Sequence, residues 1–436
     1  MDERHNLYND GGGIRNDRMK ILQISAADQG GGAERIAWDL HRSSVAAGHD
    51  PHMLVGYKLG DDARVTGLIP RKGLGRFCYR CVRYLERRSG IQAHFYWMAG
   101  SWLRKNIDSW DVIHLHNGHG EYFDLGLLPF LARQARIIIT LHDCWYFTGH
   151  CAVVFDCDRW MDSCQPCCDI ARYPGMERDA AHYNLRRKKR IFSESRPVLI
   201  VPSQWLCSYV QKSEVFRGFD CRVIYNGIDT KKFSPGDKAA ARERLRLPVD
   251  KFIMLYVVNG GLNSSVYKDP HLLLSAVQQL RAGPLADRFH LVVVGGIKDI
   301  PEVFDSCVSQ VGVTREGLET FYRAADILVH PTKADSCSLV SLEAMSCGLP
   351  VVTARIGGVP EMVEHGVTGF VTAPGDVREF GEAIEGILSS KSLLTSMGKA
   401  SVERARLRFS LDRMASSYFD LYQENIKSTD GKRNSL

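Results

Sequence analysis

The stretch KILQISAADQGGGAERIAWDLHRSSVAAGH, residues 20–49, decides the fold. Its first six residues are rich in aliphatic side chains and predict a short buried strand, and three consecutive glycines follow at residues 30–32. From residue 35 the apolar side chains return at helical spacing until Gly48. A strand, a glycine loop and a helix in this order form the first unit of an α/β sheet.

The same unit recurs along the chain. Strand-like runs at residues 112–116, 136–141 and 198–203 are each followed by a loop and a helix candidate. After the polar stretch 231–250, a second series begins at residues 252–258 and continues at 291–295, 327–331 and 350–353. Alternating strands and helices imply parallel sheets covered on both faces. We therefore predict two doubly wound α/β domains, with a ligand site in the cleft between them.

The predicted boundaries follow from these changes in pattern. They are a disordered tail at 1–18, a first domain at 19–222 with a cysteine-rich insertion at 144–168, a second domain at 223–405, a C-terminal helix at 406–426 and a frayed end at 427–436. The polar first segment has no apolar core of the kind found in signal peptides, so we do not expect export.

The composition is that of an ordinary globular protein. The chain has 436 residues, 44% hydrophobic and 24% charged, and 56 basic against 50 acidic side chains give a net charge of +6. These values exclude fibrous and mostly disordered proteins. No apolar run approaches the roughly 20 residues that cross a bilayer. We expect a cytoplasmic protein.

The segment PTKADSCSLVSLEAMSCGLP, residues 331–350, concentrates the candidate chemistry. It places Asp335 after a strand, at the cleft, and opens a helix at about Ser338, whose free backbone N–H groups suit a phosphate. Glu343 then lies where a carboxylate can accept two hydrogen bonds from a ribose diol. The simpler alternative is an ordinary capped helix with one solvated glutamate.

This segment resembles the signature of glycosyltransferase family 4, the group 1 retaining glycosyltransferases with the GT-B fold. Members carry two acidic residues eight positions apart before an Ala-Met-x-Cys-Gly-x-Pro-Val-Val run, matched here by Asp335, Glu343 and residues 344–352. Further matches are the glycine loop at 30–34 and the stretches 226–229, 357–361 and 366–370. The resemblance covers residues 20 to about 422 and implies two Rossmann-like domains that face each other across a cleft.

The resemblance also implies a nucleotide-sugar donor. Glu343 would bind the ribose, Asp335 would lie beside the donor sugar, and Lys268 would neutralise the diphosphate leaving group. The backbone amides of residues 338–340 would hold the distal phosphate. The predicted donor-binding residues are Gly31, Gly32, Lys268, Asp335, Ser338, Leu339, Val340 and Glu343. The family generally needs no metal for its chemistry.

The sequence departs from the family where a partner arginine is expected. Five residues before Lys268 stands Asn263, in a loop without charge. Either Lys298 or Arg355 supplies the positive charge of the missing arginine, or the leaving group is less well stabilised. The second case keeps open a catalytically degenerate, sugar-nucleotide-binding scaffold.

Two sets of histidines lie near strand ends of the first domain. His142 and Asp143 match a His-Asp pair of the family, in which the histidine contacts the donor sugar, so we predict catalytic roles for both and favour His142. A histidine satisfied inside the domain is the alternative. His114 and His116 share one face of a strand and lack a third metal ligand, which favours acceptor-side or packing roles.

Six of the thirteen cysteines fall between residues 144 and 168. The spacing of Cys151, Cys157, Cys164 and Cys167 offers four thiolates to a structural zinc ion, and free buried thiols are the alternative. Disulfides are not expected in a reducing compartment. The preceding stretch 145–151 resembles a subgroup that acts in exopolysaccharide and colanic-acid-type assembly.

Two basic stretches occur at residues 71–88 and 186–190. In the first, arginines alternate with aromatic and aliphatic residues, a pattern that suits either an anionic membrane surface or a solvated helix face. A lipid-linked acceptor would make membrane contact at the inner face useful. No groove-reading motif accompanies these residues, so we do not expect a nucleic-acid partner.

Together these features predict a retaining hexosyltransferase that moves a hexose-type sugar from a nucleotide-sugar donor to an envelope, lipopolysaccharide or exopolysaccharide acceptor. The alternatives are the degenerate scaffold and a GT-B nucleotide-sugar epimerase.

Overall fold

Two parallel β-sheets form the framework of the protein. The computed structural model describes residues 18–107, 110–258, 267–295, 307–312 and 317–433. The strands are β1 (Lys20–Ala27), β2 (Asp50–Tyr57), β3 (Val65–Gly67), β4 (Val112–Leu115), β5 (Arg136–Thr140), β6 (Val198–Val201), β7 (Cys221–Val223), β8 (Phe252–Val257), β9 (Phe289–Val294), β10 (Val308–Val311), β11 (Ile327–His330), β12 (Val351–Ala354) and β13 (Gly369–Thr372).

Helices cover the faces of both sheets. They are α1 (Gly32–Ala46), α2 (Gly73–Ser89), α3 (Trp97–Asn106), α4 (Leu128–Leu131), α5 (Ala181–Ser195), α6 (Gln204–Lys212), α7 (Lys238–Leu245), α8 (Pro270–Arg281), α9 (Leu318–Ala324), α10 (Leu339–Ser346), α11 (Val359–Met362), α12 (Val377–Leu388), α13 (Lys391–Arg408) and α14 (Leu411–Arg433). The prediction of two doubly wound α/β domains is confirmed.

The strand order explains where a ligand can bind. The first sheet has the order β3-β2-β1-β4-β5-β6-β7 and the second has the order β10-β9-β8-β11-β12-β13, with parallel pairing throughout. In each sheet the chain reverses its direction of winding beside the first strand of that sheet. Loops on the two sides of such a switch point diverge and leave a crevice at the carboxyl ends of the strands.

Strand sequences account for the burial of both sheets. All four residues of β6 and of β12 are buried, as expected for central strands with helices on both faces. The strand β2 contains Pro51, and its sequence did not predict a strand. It nevertheless pairs with β1, from Lys20 opposite Asp50 to Ala27 opposite Tyr57.

The C-terminal helix returns to the first domain. Met414, Tyr418 and Tyr422 of α14 pack against Met19 and Ile21 at the first sheet. The C-terminal amphipathic helix predicted within 406–426 is therefore present, and it begins at Leu411, after α13 ends at Arg408.

A change of packing partner explains this break. Phe409 is buried in the core of the second domain, whereas the helix that starts two residues later covers the first. One straight helix cannot do both. The backbone of α14 also remains helical through Arg433, so the prediction of a frayed end is wrong for residues 427–433.

The domain boundary also differs slightly from the prediction. Val223 belongs to β7 and pairs with Val201 of β6, so the first sheet extends one residue beyond the predicted boundary at 222. Asn263 and Lys298 lie outside the described residues, as does almost all of the predicted N-terminal tail. Among the described helices, none combines the length and apolar character needed to cross a bilayer.

Candidate functional site

A cavity of about 560 Å³ lies in the cleft between the two domains. The first domain contributes the glycine loop and the start of α1, and the second contributes the ends of β8 and β9 and the start of α10. The predicted residues that line it are Gly31, Gly32, Lys268, Leu339, Val340 and Glu343. Strand ends and helix starts thus bring together residues more than 300 positions apart in sequence.

The helix α10 begins at the wall of this cavity. The Ser338 hydroxyl accepts a hydrogen bond from the Ser341 amide at 3.2 Å and caps the helix, and Ser338 is 2% exposed. The first-turn amides of a helix have no acceptor within the helix. Leu339 and Val340 line the cavity there, so their end of α10 offers N–H groups and a positive dipole to an anion.

The glycine loop approaches α10 from the opposite domain. A Cβ atom added to Gly32 would lie 3.6 Å from Leu339 Cδ1, so this contact is already at van der Waals distance. The glycine loop of the first domain and α10 of the second thus face each other at close range across the cavity.

Lys268 forms a compact charged network beside the cavity. Its ammonium lies 3.3 Å from Asp335 Oδ2 and 3.4 Å from His330 Nε2. Burial raises the pKa of Asp335, but the positive charge of Lys268 and the His330 hydrogen bond outweigh it and lower this pKa to about 2. Burial, helped by Lys268, lowers the pKa of His330 to about 4. Asp335 is therefore ionised and holds Lys268 in place, although Asp335 itself does not line the cavity.

Glu343 is almost completely buried, at 1% exposure, and both its oxygens have partners. Oε1 pairs with the guanidinium of Arg35, and Oε2 accepts a hydrogen bond from the Tyr322 hydroxyl at 2.6 Å. Burial raises the pKa of Glu343, and the nearby charge of Arg35 opposes this shift. The alternative of a solvated glutamate is therefore wrong. A ribose that binds Glu343 would have to replace Arg35 at Oε1.

Arg35 is a cleft residue that sequence reasoning missed. It lies on α1 directly behind the glycine loop, and its ion pair with Glu343 joins the two domains. Its position three residues after the last loop glycine was the available signal. Arg42 and Lys232 also line the cavity, so several cations face its interior.

The predicted replacement cation Arg355 does not belong to this set. It is exposed, and its guanidinium contacts the Val371 carbonyl at 3.5 Å, outside the residues that line the cavity. That expectation is wrong, because Arg355 lies in a bend after β12 and its guanidinium contacts the neighbouring strand β13.

Glu361 is a second contact between the domains that the sequence did not single out as a site residue. Its two carboxylate oxygens accept hydrogen bonds from the Gln204 and Trp205 amides at the start of α6, each at 2.8 Å. The Tyr225 hydroxyl donates to the same carboxylate at 3.0 Å. This carboxylate binds the positive end of α6 and so helps to hold the cleft closed on one side.

His142 lies at the domain interface but does not line the cavity. Its backbone carbonyl accepts a hydrogen bond from the Ser336 hydroxyl of the second domain at 2.7 Å, and its Nε2 is 3.2 Å from His116 Nδ1. Burial lowers the pKa of His142 to about 4, so the imidazole is neutral at pH 7.

The other predicted histidines form a buried stack behind His142. The rings of His114 and His116 lie 4.1 Å apart, and His114 is held between Tyr422 at 2.7 Å and Thr140 at 2.8 Å. Burial lowers the pKa of His114 to about 3. This arrangement supports the packing role and links α14 to the strand end that carries His142.

Asp143 takes part in a different network. It lies 2.9 Å from His119 Nε2 and accepts a hydrogen bond from the Trp145 amide at 2.9 Å. Burial raises its pKa, but His119 and the amide outweigh burial, so the net direction is downward. Asp143 thus holds the start of the cysteine-rich insertion, and it does not line the cavity.

The four predicted zinc ligands lie away from the cleft. Cys151, Cys157, Cys164 and Cys167 line a separate small cavity, and all four are free thiols. Among the described residues, no three His, Cys, Asp or Glu side chains already stand in metal-coordinating geometry.

The two basic stretches have different surroundings. In the second, Arg187 is buried and pairs with Asp124 at 2.7 Å, and Lys188 is 1% exposed, whereas the other three basic side chains are exposed. The first forms α2, which exposes Leu74 and Phe77 together with its arginines.

The two facing sheets and their interdomain cavity are the GT-B architecture of glycosyltransferases. Residues 30–232 match the model of Glycosyltransferase Family 4, and residues 254–390 match that of Glycosyl transferases group 1. The two models thus match the first and the second domain in turn.

Relatives and solved structures agree with this assignment. A D-inositol 3-phosphate glycosyltransferase from Kribbella flavida is 34% identical over 200 residues, which are 42% of this chain and 46% of that protein. The chain spans about half the length of the curated relatives it matches first.

Two solved structures share the fold over almost the whole chain. Sucrose-phosphate synthase from Thermosynechococcus elongatus superposes with a TM-score of 0.67 at 21% identity, covering 94% of this chain and all of that one. Anabaena HepE in complex with UDP-glucose gives 0.65 at 19% identity, covering 94% and 100%.

Proposed function

We propose that the protein is a retaining glycosyltransferase that moves a hexose-type sugar from a nucleotide-sugar donor to an envelope or exopolysaccharide acceptor. The observation that carries this proposal is the interdomain cavity, where Lys268, the start of α10 and Glu343 share one wall. This set offers a cation and backbone amides for a diphosphate, and a carboxylate for a ribose. HepE, with the same fold, was crystallised with UDP-glucose, which supports a donor of this class.

In the proposed reaction the bond between the anomeric carbon and the diphosphate oxygen breaks. The electron pair stays with the diphosphate, an acceptor hydroxyl forms the new glycosidic bond, and its proton leaves with the nucleoside diphosphate. Lys268 and the α10 amides lie where they can stabilise the growing negative charge. Asp335 keeps the ammonium in position at 3.3 Å.

Glu343 must exchange partners when the donor binds. The nucleoside ribose would displace Arg35 from Oε1 while the Tyr322 hydroxyl keeps Oε2 oriented. The freed guanidinium would remain at the cavity wall, next to Asp39 at 3.5 Å, and would add positive charge near the phosphates.

His142 is proposed to contact the donor sugar as a neutral imidazole. Its Nε2 is engaged by His116, and no described residue hydrogen-bonds its Nδ1. Because burial keeps the ring uncharged at pH 7, it can orient a sugar hydroxyl but does not supply a positive charge.

The acceptor side is proposed to lie at an anionic membrane. The exposed face of α2 combines Phe77, 63% exposed, and Leu74, 78% exposed, with Arg80 and Arg87, which form no ion pair among the described residues. Such a helix inserts its apolar side chains between lipids while its cations bind the headgroups. A groove lined by Lys58, Arg71 and Arg76 adjoins this helix and suits an anionic, lipid-linked acceptor.

A thermal-shift screen with UDP, GDP, ADP and their sugar conjugates tests the donor site, because a ligand of the folded state raises its stability. We expect a selective shift with one nucleotide, which weakens in Glu343→Gln and Lys268→Met. Lys333→Met is the matched control, since Lys333 is 48% exposed and pairs with Asp269 outside the cavity. No shift with any nucleotide would overturn the donor-site assignment.

Turnover separates the proposal from its alternatives. We expect His142→Ala to keep the nucleotide shift and lose transfer to acceptor. Binding without any transfer in the unaltered protein would favour the scaffold, and conversion of the free sugar nucleotide without acceptor would favour an epimerase.

Vesicle flotation tests the membrane contact. Binding to vesicles with anionic lipid should fall sharply in an Arg80→Glu, Arg87→Glu double variant, but not in an Arg186→Glu, Arg190→Glu control on α5. Equal binding of all three proteins, or equal binding to neutral vesicles, would contradict the proposal.

A further inference from the structure

The cysteine-rich insertion encloses a small cavity of about 20 Å³, which is room for one atom or ion. Five cysteines line it, although the segment that carries them has hardly any regular structure. They are Cys151, Cys157, Cys164, Cys167 and Cys168. The Gly149 amide donates to the sulfur of Cys164 at 3.2 Å, and His150 Nε2 lies 3.2 Å from the sulfur of Cys167. The chain therefore folds around the sulfur atoms.

A buried lysine lies beside these thiols. Lys188 of α5 is 1% exposed and donates to the Trp145 and Thr148 carbonyls at 2.5 and 3.0 Å. Among the described residues, no carboxylate forms an ion pair with it. Lys188 therefore ties the start of the insertion to α5 beside the cysteines.

Two arginines add to the positive surroundings. Arg159 and Arg172 line the same cavity, so cations border the cysteines from more than one side. Four thiolates around one divalent ion carry a net charge of two negative units, which these cations offset.

We propose that Cys151, Cys157, Cys164 and Cys167 bind one structural zinc ion as thiolates. Binding of Zn²⁺ to four thiols releases four protons and forms a closed tetrahedral site, in which no position is open for catalysis. Because no three ligands stand in coordinating geometry among the described residues, the thiols must turn inward by side-chain rotation to reach the ion. Cys168 is exposed, unlike its neighbour Cys167, and is not a ligand.

The zinc site would act on the cleft through Phe155. This residue lies between two of the ligands, Cys151 and Cys157, and its ring stacks on that of Tyr267 with centroids 6.4 Å apart and planes 13° apart. Tyr267 directly precedes Lys268 and accepts a hydrogen bond at its carbonyl from the Lys333 amide at 2.8 Å. The insertion thus contacts the segment before α8 that carries the cleft lysine, and the effect on the cleft rests on the proposed function.

Metal analysis of the full chain, purified without chelator, tests the site directly. We expect about one zinc ion per chain, a strong loss in Cys151→Ser and Cys164→Ser, and retention in Cys168→Ser. Cys81→Ser, at an exposed position on α2, is a second control. Less than a tenth of an equivalent after incubation with zinc and dialysis, or full zinc in the ligand variants, would overturn the proposal.

A spectroscopic measurement keeps the test valid if the serine variants fail to fold. Cobalt(II) bound to the unaltered protein should give the intense thiolate charge-transfer band and the visible bands of a tetrahedral site. Octahedral cobalt spectra, or none, would contradict a four-thiolate site.

The positioning role of Phe155 has its own readout. Phe155→Ala should keep one zinc ion per chain and raise the KM for the donor several-fold with a smaller change in kcat, whereas Phe155→Tyr should restore the KM. An unchanged KM would refute this role while leaving the zinc site intact. Failure of the zinc measurement, in turn, would not affect the nucleotide shifts that test the proposed function.

Discussion

Replacement of Lys268 by methionine should destabilise the second domain even without any ligand. The lysine ammonium lies 3.3 Å from Asp335 Oδ2, and the Asp335 side chain is 19% exposed. Its pKa falls from the ordinary 3.8 to about 2, because Lys268 and His330 together outweigh the cost of burial. At about 1.4 kcal/mol per pKa unit, this network favours the ionised carboxylate by about 2 kcal/mol.

Methionine keeps the packing of the side-chain stem and removes only the charge. Asp335 then retains the neutral His330 alone, so we expect the free energy of unfolding at pH 7 to fall by about 1 to 2 kcal/mol. Urea unfolding followed by circular dichroism measures this directly. Folding lowers the pKa of Asp335 to about 2. The ionised carboxylate therefore makes its full contribution to the free energy of unfolding above about pH 4, and this contribution is lost as the pH falls through 2.

A matched control and a double-mutant cycle make this prediction refutable. Lys333→Met removes an exposed lysine that pairs with Asp269 at 3.6 Å, and it should cost less than about 0.5 kcal/mol. Combining Lys268→Met with Asp335→Asn should show strong coupling, since each single change breaks the same network. Purely additive losses, or equal losses for the two lysine variants, would refute the reasoning.

Three further predictions concern stability and domain contact. Burial lowers the pKa of His142 and of His330 to about 4. The free energy of unfolding should therefore be highest above about pH 6.5 and fall as the pH is lowered towards 4. A urea midpoint that stays constant over this range would contradict this prediction. Ser338→Ala should lower the free energy of unfolding by about 1 kcal/mol through loss of the cap of α10, and a change below the error of urea unfolding would show that the cap is dispensable. Glu361→Gln should weaken the contact with α6 and increase the radius of gyration in small-angle scattering, whereas an unchanged radius would show that other contacts hold the domains.

Much of the fold could be predicted from local patterns. The runs that begin β1, β5 and β6 are apolar enough to identify them as buried strands, and the helix after the glycine loop has clear periodicity. The strand β2 was missed because Pro51 and His52 interrupt its apolar run, and its pairing with β1 compensates for weak local preference.

The candidate site was predictable in part. Motif spacing identified Lys268 and Glu343, and the structure brings them to one cavity. Arg35 had no motif to mark it, and its pairing with Glu343 requires that the two domains face each other. The roles of these residues towards a donor remain predictions.

The sequence by itself determined the parallel α/β architecture and the motif of residues 331–350, because strand burial, helix periodicity and motif spacing are properties of short segments. The tertiary structure decided which distant groups meet. It joined Arg35 to Glu343 across the cleft, placed α14 on the first sheet, and gathered five cysteines beside the buried Lys188. These contacts depend on how the two domains and the insertion pack against one another, and no local pattern encodes a distance between segments hundreds of residues apart.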